Sequence, residues 1–196
     1  MSKGIEDAND EDLIMLSDND EIPNLDSEDF KKNKNDIVIF NQLFFYFKFN
    51  LLYNRMLWPG TKGCRKKNLK SFSWLRNIKF KKYPIWRIDT YFSNTKYSNL
   101  NIINDGGWHF TNLKSPEDMF EKFMNFGHHD EFKLSGITVD KIRDKISKRE
   151  MFYDHFADKS SKNKWDSDYK LKKIDTDLLP RYLVSNREKY LEWFDL

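Results

Sequence analysis

Three observations predict an α/β fold for this chain. Short runs of β-branched and aromatic residues alternate with helical segments that carry their own start signals. Apolar residues make up 39% and aromatic residues 16%, enough for a core in spite of 33% charged residues. At 196 residues the chain has the length of one domain. A single domain over 1–196 is expected, with 1–11 as a polar lead-in and 157–173 as a mobile, lysine-rich loop.

Taken in order, residues 12–17 read as a buried strand that ends at Asp18-Asn19-Asp20. The polar, acidic stretch 24–35 reads as a loop or one helical turn. Asp36-Ile37-Val38-Ile39-Phe40 is a strand by composition, and Leu43 to Phe49 a second extended aromatic segment. Trp58-Pro59-Gly60-Thr61-Lys62-Gly63 reads as a turn, because proline and glycine punctuate chains. Ile85-Trp86-Arg87-Ile88 and Asn101-Ile102-Ile103 are short strand candidates that lead to Asp105-Gly106-Gly107-Trp108-His109-Phe110. A helix then starts with Ser115 as N-cap, Pro116 in the first position and two acids in the first turn, and it ends at Gly127. Further helices are predicted from Val139 to about Ile146 and from Pro180 to Phe194.

Charge is distributed unevenly. Residues 1–30 hold eleven acids and one lysine, a net −10, so the remainder carries +13 of the overall +3. Segment 62–82 alone has nine Lys or Arg and no acid. Such a run suits RNA or the phosphates of a sugar nucleotide. A solvated loop facing the acidic segment explains it equally well, and that segment would compete with nucleic acid, which makes RNA the disfavoured partner. The one cysteine, Cys64, rules out an internal disulfide and a cysteine-rich zinc site; its basic surroundings would lower a thiol pKa, although an incidental loop cysteine fits better. No apolar run is long enough to span a bilayer and no leader opens the chain, so a soluble protein, cytoplasmic by default, is expected.

The strand end at 16–23 carries the clearest chemistry. In an extended segment, side chains at i and i+2 point the same way, so Asp18 and Asp20 would present two carboxylates together. Mg²⁺ and Mn²⁺ are commonly held by one or two carboxylates plus substrate phosphate oxygens. A plain strand-to-turn junction uses the same residues. An EF-hand is excluded, because Ile22 and Pro23 fall where that loop needs a ligand and a glycine.

Several pieces, in one order, resemble glycosyltransferase family 17, the family of the enzyme that adds the bisecting β-1,4-linked N-acetylglucosamine to N-glycans. They are Leu16-Ser17-Asp18-Asn19-Asp20-Glu21-Ile22-Pro23, Phe44-Phe45-Tyr46-Phe47-Lys48-Phe49-Asn50, Trp58-Pro59-Gly60, Gly107-Trp108-His109-Phe110, His129-Asp130-Glu131-Phe132 and Leu179-Pro180-Arg181-Tyr182-Leu183. The resemblance runs over roughly residues 10–193. It implies a GT-A-type fold, a Rossmann-like mixed sheet with helices on both faces. Only 17 residues precede Asp18, where that fold places its first strands, so an N-terminally truncated domain is expected.

The resemblance further implies a metal-dependent inverting transferase. UDP-N-acetylglucosamine would be the donor, a glycan hydroxyl the acceptor, and Mn²⁺ or Mg²⁺ the cofactor, held by Asp18 and Asp20. Glu131 is the base it implies, with Asp130 and Asp105 in reserve; ordinary surface acids would look the same. Trp108 would stack on a sugar ring and His109 would hydrogen-bond to phosphate or hydroxyl, unless both simply pack a strand. His128 and His129, adjacent in extended chain, would face opposite ways; His129 is the candidate third metal ligand, against a structural role. Two other functions compete: a non-catalytic remnant that binds glycans or a partner chain, and RNA binding through 62–82.

Overall fold

The computed structural model describes residues 2–127, 129–156, 162–165 and 167–196. His128, and residues 157–161 and 166 of the expected loop, lie outside the described residues. The strands are β1 (Leu13–Leu16), β2 (Glu21–Pro23), β3 (Ile37–Tyr46), β4 (Leu51–Leu52), β5 (Trp58–Arg65), β6 (Leu100–Ile103), β7 (Gly107–Thr111) and β8 (Lys172–Lys173). The α-helices are α1 (Glu28–Lys31), α2 (Phe72–Asn77), α3 (Pro116–Met124), α4 (His129–Ser135), α5 (Val139–Ser147) and α6 (Arg181–Ser185). The class is thus mixed α/β, and the chain divides into two compact units.

The first unit comprises 1–43 and 57–109. Its sheet is mixed: β1 pairs antiparallel with β5, β5 antiparallel with β3, and β3 parallel with β6. The start of β3 is the central strand, and that is why 37–40 is an unbroken apolar run. Ile37 and Ile39 face a cluster with Cys64, Leu75, Ile78 and Leu100, while Val38 and Phe40 face the other side with Ile103, Leu13 and Phe30. By contrast β1 is half-exposed, with only Ile14 buried, so the expected buried strand is an edge strand.

Four other expectations change here. The turn predicted at 58–63 is strand β5. Pro59 pairs with Asn41 beside the register shift, the kind of irregular position where a strand admits proline. Gly60 and Gly63 serve close approach rather than reversal: a Cβ on Gly60 would lie 2.0 Å from Gln42 Oε1, and one on Gly63 3.0 Å from Val38 Cγ2. The strand expected at 85–88 is a turn leading into a 3₁₀ segment at Ile88–Thr90. Helix α2, inside the basic segment, is capped by Ser71, whose Oγ accepts from Trp74 N at 3.0 Å. Cys64 is fully buried in β5, and burial pushes its thiol up to about 11, the reverse of an activated cysteine.

The second unit comprises 44–56 and 110–196. The end of β3 pairs with β4 at Phe45↔Leu52, and β4 pairs with β8. The chain leaves β3 at Phe47, a buried residue in the left-handed region (φ 68°) held between Tyr46 (4.7 Å) and Phe152 (5.6 Å). Helices α3 and α5 form where predicted, with Ser115 and Thr138 as N-caps. Helix α4 was not anticipated. The single helix expected at 180–194 is α6 followed by a 3₁₀ segment, Arg187–Trp193, kinked at Tyr190. Asn50 holds the end of this segment, giving its Nδ2 to Asp195 O and taking Asp195 N on its Oδ1, both at 2.8 Å.

Part of the expected mobile loop is packed. Trp165 is buried with its ring 5.4 Å from Phe123 and 5.2 Å from Phe132. No helix among the described residues is long and apolar enough to cross a membrane.

Candidate functional site

The residues of interest in the first unit gather where β1 ends. The strand stops at Leu16, so Asp18 and Asp20 are not on extended chain and the i, i+2 geometry does not apply. A tight turn takes its place: Glu21 N donates to Asp18 O at 3.1 Å, and Asp18 N donates to Glu21 Oε2 at 3.2 Å. Beneath it, Ser17 Oγ and Thr61 Oγ1 share a hydrogen bond of 2.6 Å, and Gln42 Nε2 donates to the same Thr61 oxygen at 3.4 Å. This polar chain, buried at Thr61 and Gln42 and exposed at Ser17, fastens the turn to β5 and β3.

The two aspartates have different partners. Asp18 Oδ1 accepts from Arg76 Nη2, at the end of α2, at 2.5 Å. Asp20 Oδ2 lies 3.3 Å from His109 Nε2 on β7. The register of β2 on β7 sets Glu21 opposite His109 and Ile22 opposite Trp108, so His109 faces the turn and Trp108 the other side of the strand pair. Trp58 completes the group: its ring stacks on His109 at 4.5 Å and 15°, and its indole N–H donates to Glu21 Oε1 at 2.9 Å. Asp20, His109, Trp58 and Glu21 are thus one connected set.

A cleft of about 130 Å³ opens beside this set, lined by Asp18, Glu21, Trp58, Gly60, Lys62 and Arg76 among others. Lys62 Nζ donates to Arg76 O at 2.5 Å and Ile78 O at 2.7 Å, anchoring the carbonyl end of α2; burial pushes its ammonium pKa down. Cations, carboxylates and an indole around one cleft are the groups that bind a phosphorylated, hydroxyl-rich ligand.

Of the residues the sequence reading names, Asp20 and His109 meet, whereas Asp18 turns to Arg76 and lines the cleft, which neither Asp20 nor His109 lines. Lys62 and Arg76 belong to the basic segment 62–82 that the sequence offers for the phosphates of a sugar nucleotide, while Glu21 and Trp58 carry no site role in the sequence reading. Glu21 had a signal, as a third acid directly after the aspartate pair. Trp58 had none beyond its aromatic character, since only the pairing of β5 brings it to the turn.

Glu131 and His129 belong to the second unit, on α4. Glu131 Oε2 accepts from Lys164 Nζ at 2.9 Å, an ion pair that raises the lysine pKa. His129 uses Nδ1 against Phe126 O at 3.1 Å, and its Nε2 lies 3.3 Å from Asp130. Asp105, in the first unit, accepts from Asn24 Nδ2 at 2.9 Å. Much of the basic segment faces the acidic N-terminal stretch: Arg65 and Lys67 pair with Glu11, and Lys66 donates to Ala8 O.

For a metal, the donor chemistry at the turn is carboxylate oxygen, which suits Mg²⁺ or Mn²⁺. Among the described residues no group of three or more His, Cys, Asp or Glu is arranged to hold an ion. Asp18 is engaged by Arg76 and Asp20 by His109, so an ion held by these carboxylates would need further oxygens from a ligand. No family model, curated protein or solved structure matches the chain.

Proposed function

We propose that the chain is a metal-dependent inverting glycosyltransferase of GT-A type. Its donor is UDP-N-acetylglucosamine and its acceptor a glycan hydroxyl. The observation that carries the reading is the turn at Asp18–Glu21, which delivers carboxylates to a cleft it shares with Lys62, Arg76 and Trp58. Arg76 and Lys62 supply positive charge for a diphosphate, and the stacked Trp58–His109 pair holds Glu21 and Asp20 in place. A divalent cation held by Asp18 and Asp20 would supply charge neutralisation for the UDP leaving group. In the transfer, the acceptor oxygen bonds to the anomeric carbon as the sugar–phosphate bond breaks, and the hydroxyl proton passes to a carboxylate base. The assignment of Glu131 as that base rests on the resemblance alone. Glu131→Gln should abolish transfer with donor binding kept, and undiminished turnover would remove it from the mechanism.

A second reading, a non-catalytic glycan- or partner-binding module, draws on the engagement of Asp18 by Arg76 and of Asp20 by His109. One calorimetric experiment separates the two. UDP-N-acetylglucosamine is titrated into the chain with and without Mn²⁺, beside an Asp18→Asn/Asp20→Asn variant. Binding that needs both the metal and the aspartates supports the transferase. Absence of donor binding by the folded chain, with glycan binding indifferent to metal and aspartates, supports the module.

A further inference from the structure

The segment 79–96 of the first unit leaves its largest apolar side chains in solvent. Ile85, Trp86, Ile88, Tyr91 and Phe92 are each between 69% and 87% exposed, five such residues within eight positions. Single exposed apolar residues need no explanation, but a contiguous group on one short segment does.

These side chains are held outward by a built scaffold. Tyr83 is buried at the base of the segment with Lys81, Arg87 and Lys96 over its ring at 5.2–5.9 Å. Asp89 accepts from Arg87 and from Lys96, each at 2.7 Å, and tethers the two sides of the loop. Backbone bonds from Lys79 N to Thr95 O (2.8 Å) and Tyr83 N to Tyr97 O (3.2 Å) close it. The apolar tip is therefore positioned, not merely unpacked.

Charge decides what the tip meets. Within 79–96 there are five basic residues and one acid, and Lys79, Lys81 and Lys82 are exposed. Tryptophan and tyrosine favour the headgroup level of a bilayer, aliphatic and phenyl groups insert just below it, and lysines beside them meet anionic lipid. An uncharged apolar groove on another protein would match the tip but leave the lysines without counter-charge.

We propose that segment 79–96 is a peripheral docking loop for an anionic membrane surface, with Trp86, Ile88 and Phe92 inserting and Lys79, Lys81 and Lys82 contacting lipid headgroups. No residue of the loop lines the donor cleft, although Lys79 stands near Lys62, and the proposal holds whether or not the chain is a transferase.

The test is co-sedimentation of the full chain with vesicles of phosphatidylcholine, alone or with about one-third phosphatidylserine. Binding should require the anionic lipid and weaken as salt rises. Trp86→Ser/Ile88→Ser/Phe92→Ser, at solvent-facing positions and checked for folding by circular dichroism, should bind at least about tenfold more weakly. Each of Lys79→Gln, Lys81→Gln and Lys82→Gln should weaken partitioning about fivefold, equivalent to about 1 kcal/mol. The proposal fails if the folded chain ignores anionic vesicles, or if the apolar triple variant binds them as well as the parent does. Self-association that the triple variant abolishes, with no vesicle binding, would overturn it in favour of a protein partner.

Discussion

Aromatic residues do different work in the two units. In the second, rings pack on rings: Phe123, Phe132, Phe152 and Trp165 form a mutual set with centroids 5.2–6.3 Å apart, and Phe44, Tyr53 and His155 form another. In the first, the aliphatic sheet supplies the core, while Trp58 grips charged groups at the turn and Trp86 and Phe92 face solvent. Ring-on-ring packing stabilises but leaves nothing for a ligand. Aromatic side chains spared from the core are available for recognition, and in this chain they sit among carboxylates and lysines.

The largest effect that tests this contrast is Phe152→Ala. It removes a fully buried ring and should cost about 3–5 kcal/mol in denaturant unfolding, whereas Trp86→Ser should fall within about 0.5 kcal/mol of the parent. Equal costs would break the contrast. Next is Gly107→Ala, where φ is +106° and a Cβ would lie 2.2 Å from Ile22 O. Backbone strain alone is worth about 1–3 kcal/mol. Because the clash pries β7 from β2, donor binding should fall as well as thermal stability; a stable variant with intact binding would show that the β2–β7 pairing does not position the turn.

Thr61→Val keeps the shape but strips a buried oxygen from the Ser17–Thr61–Gln42 chain. It should cost about 1–3 kcal/mol, measured in the same unfolding assay. The smallest effect concerns the docking loop. Hydrogen bonds from Arg87 and Lys96 hold Asp89 down to about 2, from an ordinary 3.8. A depressed carboxylate contributes order above its unfolded pKa and loses it as pH falls through the folded one. The loop should therefore keep its form above about pH 4 and loosen between about pH 4 and 2, seen as line broadening of its amide resonances; Asp89→Asn should loosen it at neutral pH.

Much of this was legible from local signals. The start of β3 was evident because a central strand is apolar on both faces, α3 because Ser115-Pro116-Glu117-Asp118 carries its cap, and α5 from its helical pattern, its Thr138 cap being seen only in the structure. β5 was misread because proline and glycine signal turns when taken locally, whereas Gly60 and Gly63 answer to Gln42 and Val38, far away in sequence. Residues 85–88 were misread in the opposite sense: apolar spacing says that a segment can be buried, and nothing local says that it will be.

The sequence by itself determined the α/β class, the cap of α3 and the charge asymmetry, because each depends on neighbours in the chain, whereas the acids at 18–21 read as the end of an extended strand and fold as a turn. The tertiary structure decided that Asp18 meets Arg76 and Asp20 meets His109, that Trp58 reaches Glu21, and that Glu131 is engaged by Lys164. Those contacts span between 33 and 89 positions of sequence. Pairing across such separations follows from strand register and core packing, which no local pattern encodes.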